Sequence, residues 1–180
     1  MQGEARELAR GGSQALFIFG LASLLLYMIL ASQFNSFAQP AIIMLAEPLA
    51  VVGGLLLLWL TGQSLNVYSV IGLILLIGLV AKNAILLIDV TNQSRAAGRR
   101  VDSALAESCP RRLRPVLMTS LTVILAMLPA AMGFGAGAET NGPLAIAVIG
   151  GMVSSTLLTL VVIPAAYSLL EGWREQRRLR

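Results

Sequence analysis

Residues 11–46 contain no charged side chain. A membrane helix needs roughly 20 apolar residues to cross about 30 Å of hydrocarbon, so this run is too long for one crossing and holds most of two. The rest of the chain has the same character. Hydrophobic residues make up 57% and charged residues 12%, against about 25% charge in an ordinary soluble domain. A water-facing globule of this size cannot hide so much apolar surface. Disorder is excluded for the same reason, because there is too much to bury.

Polar turn formers divide the chain into spans. The segment Gln33 to Gln39 followed by Pro40 separates a first span, about 14–32, from a second, about 40–60. Pro suits the first turn of a helix, where its missing N–H is no loss. Thr61-Gly62-Gln63-Ser64 forms the next turn, and Asn66 is the expected N-cap of a third span, about 67–90. A polar, Arg-rich connector covers 91–114, with a short helix expected at 102–109 opened by Asp102. Pro115 opens a fourth span, about 115–134. The glycines Gly133, Gly135 and Gly137 lead to a fifth, about 143–170. Barrel strands would alternate strictly over about ten residues, and that pattern is absent. The expected fold is therefore all-α: a polytopic membrane bundle of five helices plus a short cytoplasmic connecting helix.

Orientation follows from Lys and Arg, which accumulate on the cytoplasmic side. The connector holds Arg95, Arg99, Arg100, Arg111, Arg112 and Arg114, and the tail 172–180 holds Arg174, Arg177, Arg178 and Arg180. The loop between spans four and five has no Lys or Arg and one acid, Glu139. The connector and tail are thus expected inside and the N-terminus outside, despite Arg6 and Arg10. Residues 1–12 fit the end of an external domain. MQGEARELAR is no signal peptide, since it carries Glu4 and Glu7 and lacks a cleavage site.

Residue types also bound the chemistry. One Cys (Cys109) and no His exclude an internal disulfide and leave too few ligands for a zinc site. No nucleophile stands with a base, so an enzyme is not expected, and nothing calls for a cofactor. The net charge of +4 does not imply nucleic acid. The basic residues flank apolar runs, and no basic face is studded with aromatics.

Three ionisable residues fall within the spans: Glu47, Lys82 and Asp89. A charge at the centre of a bilayer costs about 2.5–3.5 kcal/mol on insertion scales, and such groups usually face the bundle interior or water. Lys82 reads either as a snorkelling lysine or as part of a polar site. Asn83 beside it cannot snorkel, and the pair favours the site. Asp89 reads as a solvated helix end. Glu47, just before Pro48, is either an ion-coupling carboxylate or a group satisfied by backbone that Pro48 frees. Span four adds Thr119, Ser120 and Thr122. Membrane hydroxyls often only bond back to their own helix, but Thr119 lies at a depth near that of Lys82. Gly53-Gly54, Gly72, Gly78, Gly150-Gly151 and Ser154-Ser155 read as close-packing positions. Pro129 and Pro164 are expected to kink their helices.

Several strings carry a resemblance. GLILLIGLVAKNAILLIDVTNQ (Gly72 to Gln93), RRLRPVLMTSLTVILAMLPAAMGFGAG (Arg111 to Gly137) and GPLAIAVIGGMVSSTLLTLVVIPAAYSLL (Gly142 to Leu170) occur in that order. ASQFNSF (Ala31 to Phe37) and LTGQSLNVYSVIGL (Leu60 to Leu73) precede them. Together they closely resemble the C-terminal membrane half of resistance–nodulation–division (RND) transporters, most nearly the hydrophobe/amphiphile multidrug efflux branch. The resemblance covers about residues 13–171.

It implies a pump of twelve membrane helices and two large periplasmic regions, working as an inner-membrane homotrimer. Protons entering from the periplasm would drive drug export through a periplasmic adaptor and an outer-membrane channel. The five spans would be helices eight to twelve, with residues 1–12 a remnant of the second periplasmic region. In the family a helix-ten lysine pairs with two helix-four aspartates, and Lys82 stands at that lysine, with Asn83 next to it. Thr119 stands at a relay threonine, and Arg112 at an arginine on the cytoplasmic side of the proton route. The two aspartates belong to an N-terminal half absent from this chain, and nothing in the resemblance supports Glu47 as a substitute carboxylate. The chain alone is expected neither to couple protons nor to select a drug. An RND pump for metal ions or lipids, and a non-transporting membrane scaffold, are the competing readings.

Overall fold

The computed structural model describes the backbone of residues 2–134 and 137–178, and the side chains of 16–134, 137 and 140–170. The charges expected at the two ends (Arg6, Arg10, and Arg174 onward), Glu139 and Gly135 lie outside the described side chains. Six helices follow in order: α1 (Gln2–Phe34), α2 (Ala38–Met44), α3 (Ala46–Leu60), α4 (Val67–Ala96), α5 (Val101–Ala131) and α6 (Ala138–Arg178). Among the described residues there is no strand. Five helical segments are long and apolar enough to cross a membrane: Leu16–Phe34, Ala38–Leu60, Val67–Ala96, Val101–Ala131 and Thr140–Leu170. The fold is the expected all-α bundle.

α2 and α3 make one span. Pro48 has no N–H to donate to the carbonyl of Met44, so the ladder lapses for one residue at Leu45. Leu45 keeps right-handed helical angles (φ −62°, ψ −24°), so the lapse is not a turn. α3 ends where Gly62 takes φ +68°. The Gly62 N–H donates to the Trp59 carbonyl (3.1 Å) and the Gln63 N–H to that of Leu58 (3.0 Å), the paired closure of a helix C-terminus that needs a left-handed residue. Asn66 caps α4 as expected. Its side chain accepts from the Ser69 N–H (2.9 Å), and the Ser69 hydroxyl oxygen accepts from the Asn66 N–H (2.9 Å).

The connecting helix forms, but it is not separate. It runs without a break into the fourth span, with Pro110 and Pro115 inside α5. Likewise Pro143 lies inside α6 and does not open it. An interior proline costs about 3 kcal/mol. On α5 the buried positions lie on either side of the two prolines, Val101, Ala104, Leu105 and Ser108 before Pro110, and Val116 and Ser120 after Pro115. On the polar side, Glu107 pairs with Arg99 and, at 2.7 Å, with Arg111.

α6 is the hub, packing on α3, α4 and α5. The small residues do what their sizes suggested. A Cβ at Gly150 would lie 2.6 Å from the Gly53 carbonyl oxygen, and one at Gly72 would lie 2.8 Å from that of Leu144. Backbones therefore cross at contact distance where α6 meets α3 and α4. The Ser154 hydroxyl adds a bond to the Leu49 carbonyl at 2.8 Å. Gly78 differs, because a Cβ there would meet nothing within 4 Å.

Candidate functional site

α4 buries one face and leaves another open. Leu73, Leu76, Ile77, Val80, Ala81, Ala84, Leu87 and Ile88 are buried. Opposite them runs an exposed stripe of Tyr68, Ile71, Leu75, Gly78, Lys82 and Asp89. These positions recur about every 3.5 residues, the repeat that keeps a helix face aligned with a neighbouring helix. Lys82 lies in this stripe near the middle of α4, about 22 Å of helix rise from Val67. It makes no ion pair or hydrogen bond among the described residues. Asn83 is turned inward, 6% exposed, and likewise makes no hydrogen bond among them.

Thr119 lies about 18 Å of helix rise from Ala131, where α5 ends on the side from which α4 begins. Its depth therefore matches that of Lys82. The two helices pack against each other, but no bond joins the two side chains. The Thr119 hydroxyl donates to the Val116 carbonyl (3.0 Å), and Thr122 does the same to Met118 (2.8 Å). Both are the local back-bonds common for such residues. Arg112 is half-buried on α5 without a partner among the described residues, unlike its neighbour Arg111. Asp89 is exposed and accepts from the Gln93 side chain at 3.0 Å.

Glu47 sits at a similar level, about 20 Å of rise from Leu60. It faces inward, 4% exposed. The Ser23 hydroxyl donates to Oε2 at 3.1 Å, and Oε1 has no partner. The expected sites are thus three levels-matched groups on three helices, not one bonded cluster: Lys82 and Thr119 point outward, Glu47 inward.

Two polar ties were not singled out from sequence. The Ser120 and Thr156 hydroxyls meet at 2.7 Å, and Thr156 donates to the Met152 carbonyl at 2.6 Å. Farther along α4, the Gln39 and Asn92 amides exchange hydrogen bonds of 3.2 and 3.0 Å, and the fully buried Tyr167 donates to Asn92 Oδ1 at 2.7 Å. The first tie fastens α5 to α6 beside Thr119. The second joins α2, α4 and α6. Polar residues inside apolar helices were their only sequence signal; which ones meet is decided by packing.

Comparison with known proteins gives the family. The model of a family described as AcrB/AcrD/AcrF matches residues 1–171. The chain belongs to this family. It is one of RND efflux transporters, and the segment is a multi-pass membrane protein. The toluene efflux pump membrane transporter TtgB of Pseudomonas putida is 37% identical over 179 residues, covering 98% of this chain and 17% of that protein. The swarming motility protein SwrC of Bacillus subtilis is 38% identical over 163 residues, covering 88% and 16%. Among solved structures, a heavy metal efflux pump superposes with a TM-score of 0.83 at 38% identity, covering 93% of this chain and 17% of that one. The chain therefore spans about a sixth of the length of the relatives it matches.

Proposed function

We propose that this chain is the C-terminal membrane part, helices eight to twelve, of a proton-driven transporter that exports drugs or other amphiphilic compounds across a bacterial inner membrane. The observation that carries the reading is Lys82. An ammonium in mid-helix, on an otherwise mostly apolar open stripe and without an ion-pair partner among the described residues, is costly for a scaffold. It has a purpose if another part of the pump supplies carboxylates.

On this reading the two aspartates of helix four, in the N-terminal half, face Lys82. While they are ionised they hold the ammonium. Protonating them removes the attraction, releases the side chain and lets helices shift against one another. Thr119 then offers its hydroxyl oxygen to the released ammonium or to a water. Asn83 shapes the same turn of helix, and Arg112 stands toward the cytoplasmic end of the route. The connector and the C-terminus face the cytoplasm and the N-terminus the periplasm. The working assembly is a homotrimer with a periplasmic adaptor and an outer-membrane channel. The chain works by moving ions and helices, without enzymatic chemistry, and is inactive alone.

A second reading, export of metal ions, is favoured by the likeness to a heavy metal efflux pump. The five helices hold no substrate-reading region that would separate the two. The test joins this chain to a matching N-terminal half in cells and follows proton-dependent export of a dye and of a divalent metal. Lys82→Ala is expected to abolish export while insertion survives. Unchanged export in that variant would overturn the relay.

A further inference from the structure

Glu47 differs from Lys82 in one respect. The half-bundle already encloses it, so a missing partner is not what it waits for. Only one of its two oxygens is satisfied, by Ser23 on α1, and Oε1 is buried without a donor. Among the described residues no cation is paired with it. α2, α3, and the described side chains of α1 and α6 contain no Lys or Arg. On α4, Lys82 and Asp89 sit on the exposed stripe, and Arg95 lies in the last turn. The charged residues of α5 are confined to its first half, up to Arg114.

The backbone beside Glu47 has the opposite shortage. Pro48 leaves the carbonyl of Met44, three residues before Glu47, without its ladder donor. A carboxylate cannot help, because both groups only accept. A carboxylic acid can, because its O–H donates.

We propose that Glu47 is a proton-binding site of this half-bundle. One proton, taken from water, forms an O–H bond on Oε1. Oε2 goes on accepting from Ser23, and the new O–H is the donor for the carbonyl freed by Pro48. The site is independent of the Lys82 relay, and it ties proton binding to the contact between α1 and the α2–α3 span.

The test uses the 180-residue chain in phospholipid vesicles, compared by infrared spectroscopy in H2O and D2O at neutral pH. A protonated carboxyl gives a carbonyl stretch that shifts down in D2O. That band is expected in the parent chain, is lost in Glu47→Gln, moves to higher frequency in Ser23→Ala, and is unchanged in Lys82→Ala. Absence of the band, or its survival in Glu47→Gln, overturns the proposal. So does its disappearance when sodium replaces choline in the buffer, which would make the occupant a metal cation. If Glu47→Gln fails to insert, Ser23→Ala decides: an unshifted band in that variant overturns the assignment. Because Lys82→Ala is read in the same series, failure here is distinct from failure of the relay.

Discussion

Lys82 and Thr119 do different amounts of work in the account. In the proposed relay the lysine is the charge, and the threonine is the hydroxyl that would receive it. Thr119 is distinguished from Thr122 only by position, since both make the same kind of back-bond in the chain alone. In the joined transporter, Thr119→Ala is therefore expected to lower export more than Thr122→Ala, measured as proton-dependent dye efflux at matched expression. Equal effects would reduce both hydroxyls to helix packing. Thr156→Val removes the buried hydroxyl that meets Ser120. Hydrogen bonds between membrane helices are worth about 0.6–2 kcal/mol, and a loss of that size is expected in detergent unfolding. Lys82, Asn83 and Thr119 stand out in the sequence as candidates because each is a polar group in an apolar helix. Thr156 does not, because its importance comes from meeting Ser120, 36 positions away in the chain.

Single helices show where sequence patterns stop. The capping of α4 by Asn66 and the glycine closure of α3 are local, so three or four residues suffice to read them. Pro115 is also local as a signal, and it misled: a proline at a helix start and one within a helix look alike in sequence. α5 is packed on both sides of it, through Val101 to Ser108 before and Val116 and Ser120 after, and that burial needs α4 and α6. The glycines split the same way. Gly53, Gly54, Gly72, Gly78, Gly150 and Gly151 were all read as packing positions, yet Gly78 does not pack within this chain. Gly150→Leu forces side-chain atoms into the backbone of Gly53, and overpacking of this kind costs roughly 1–3 kcal/mol or more. It is expected to lower the unfolding midpoint of the isolated chain. Gly78→Leu meets empty space and is expected to leave that midpoint unchanged while weakening co-purification with an N-terminal half. A loss of stability in the isolated chain would show that Gly78 is already packed.

At the scale of the whole molecule, the bundle is built around α6 with one stripe of α4 left uncovered. Five spans and their order could be counted from hydropathy alone. Which helix is the hub could not, since the α6 span is no more apolar than the α2–α3 span and less so than α4. The uncovered stripe appears only once the core faces are assigned. The account's central claim is that a carboxylate from outside this chain meets Lys82 there. Its most direct test is a disulfide between the halves. In a Cys109→Ser background, Lys82→Cys is paired with a cysteine replacing either helix-four aspartate of a matching N-terminal half, with Val52→Cys as the control on an exposed face of α3. Oxidation is predicted to cross-link the Lys82→Cys pair and leave the Val52→Cys pair uncoupled. A cross-link at Val52 and none at Lys82 would contradict the account.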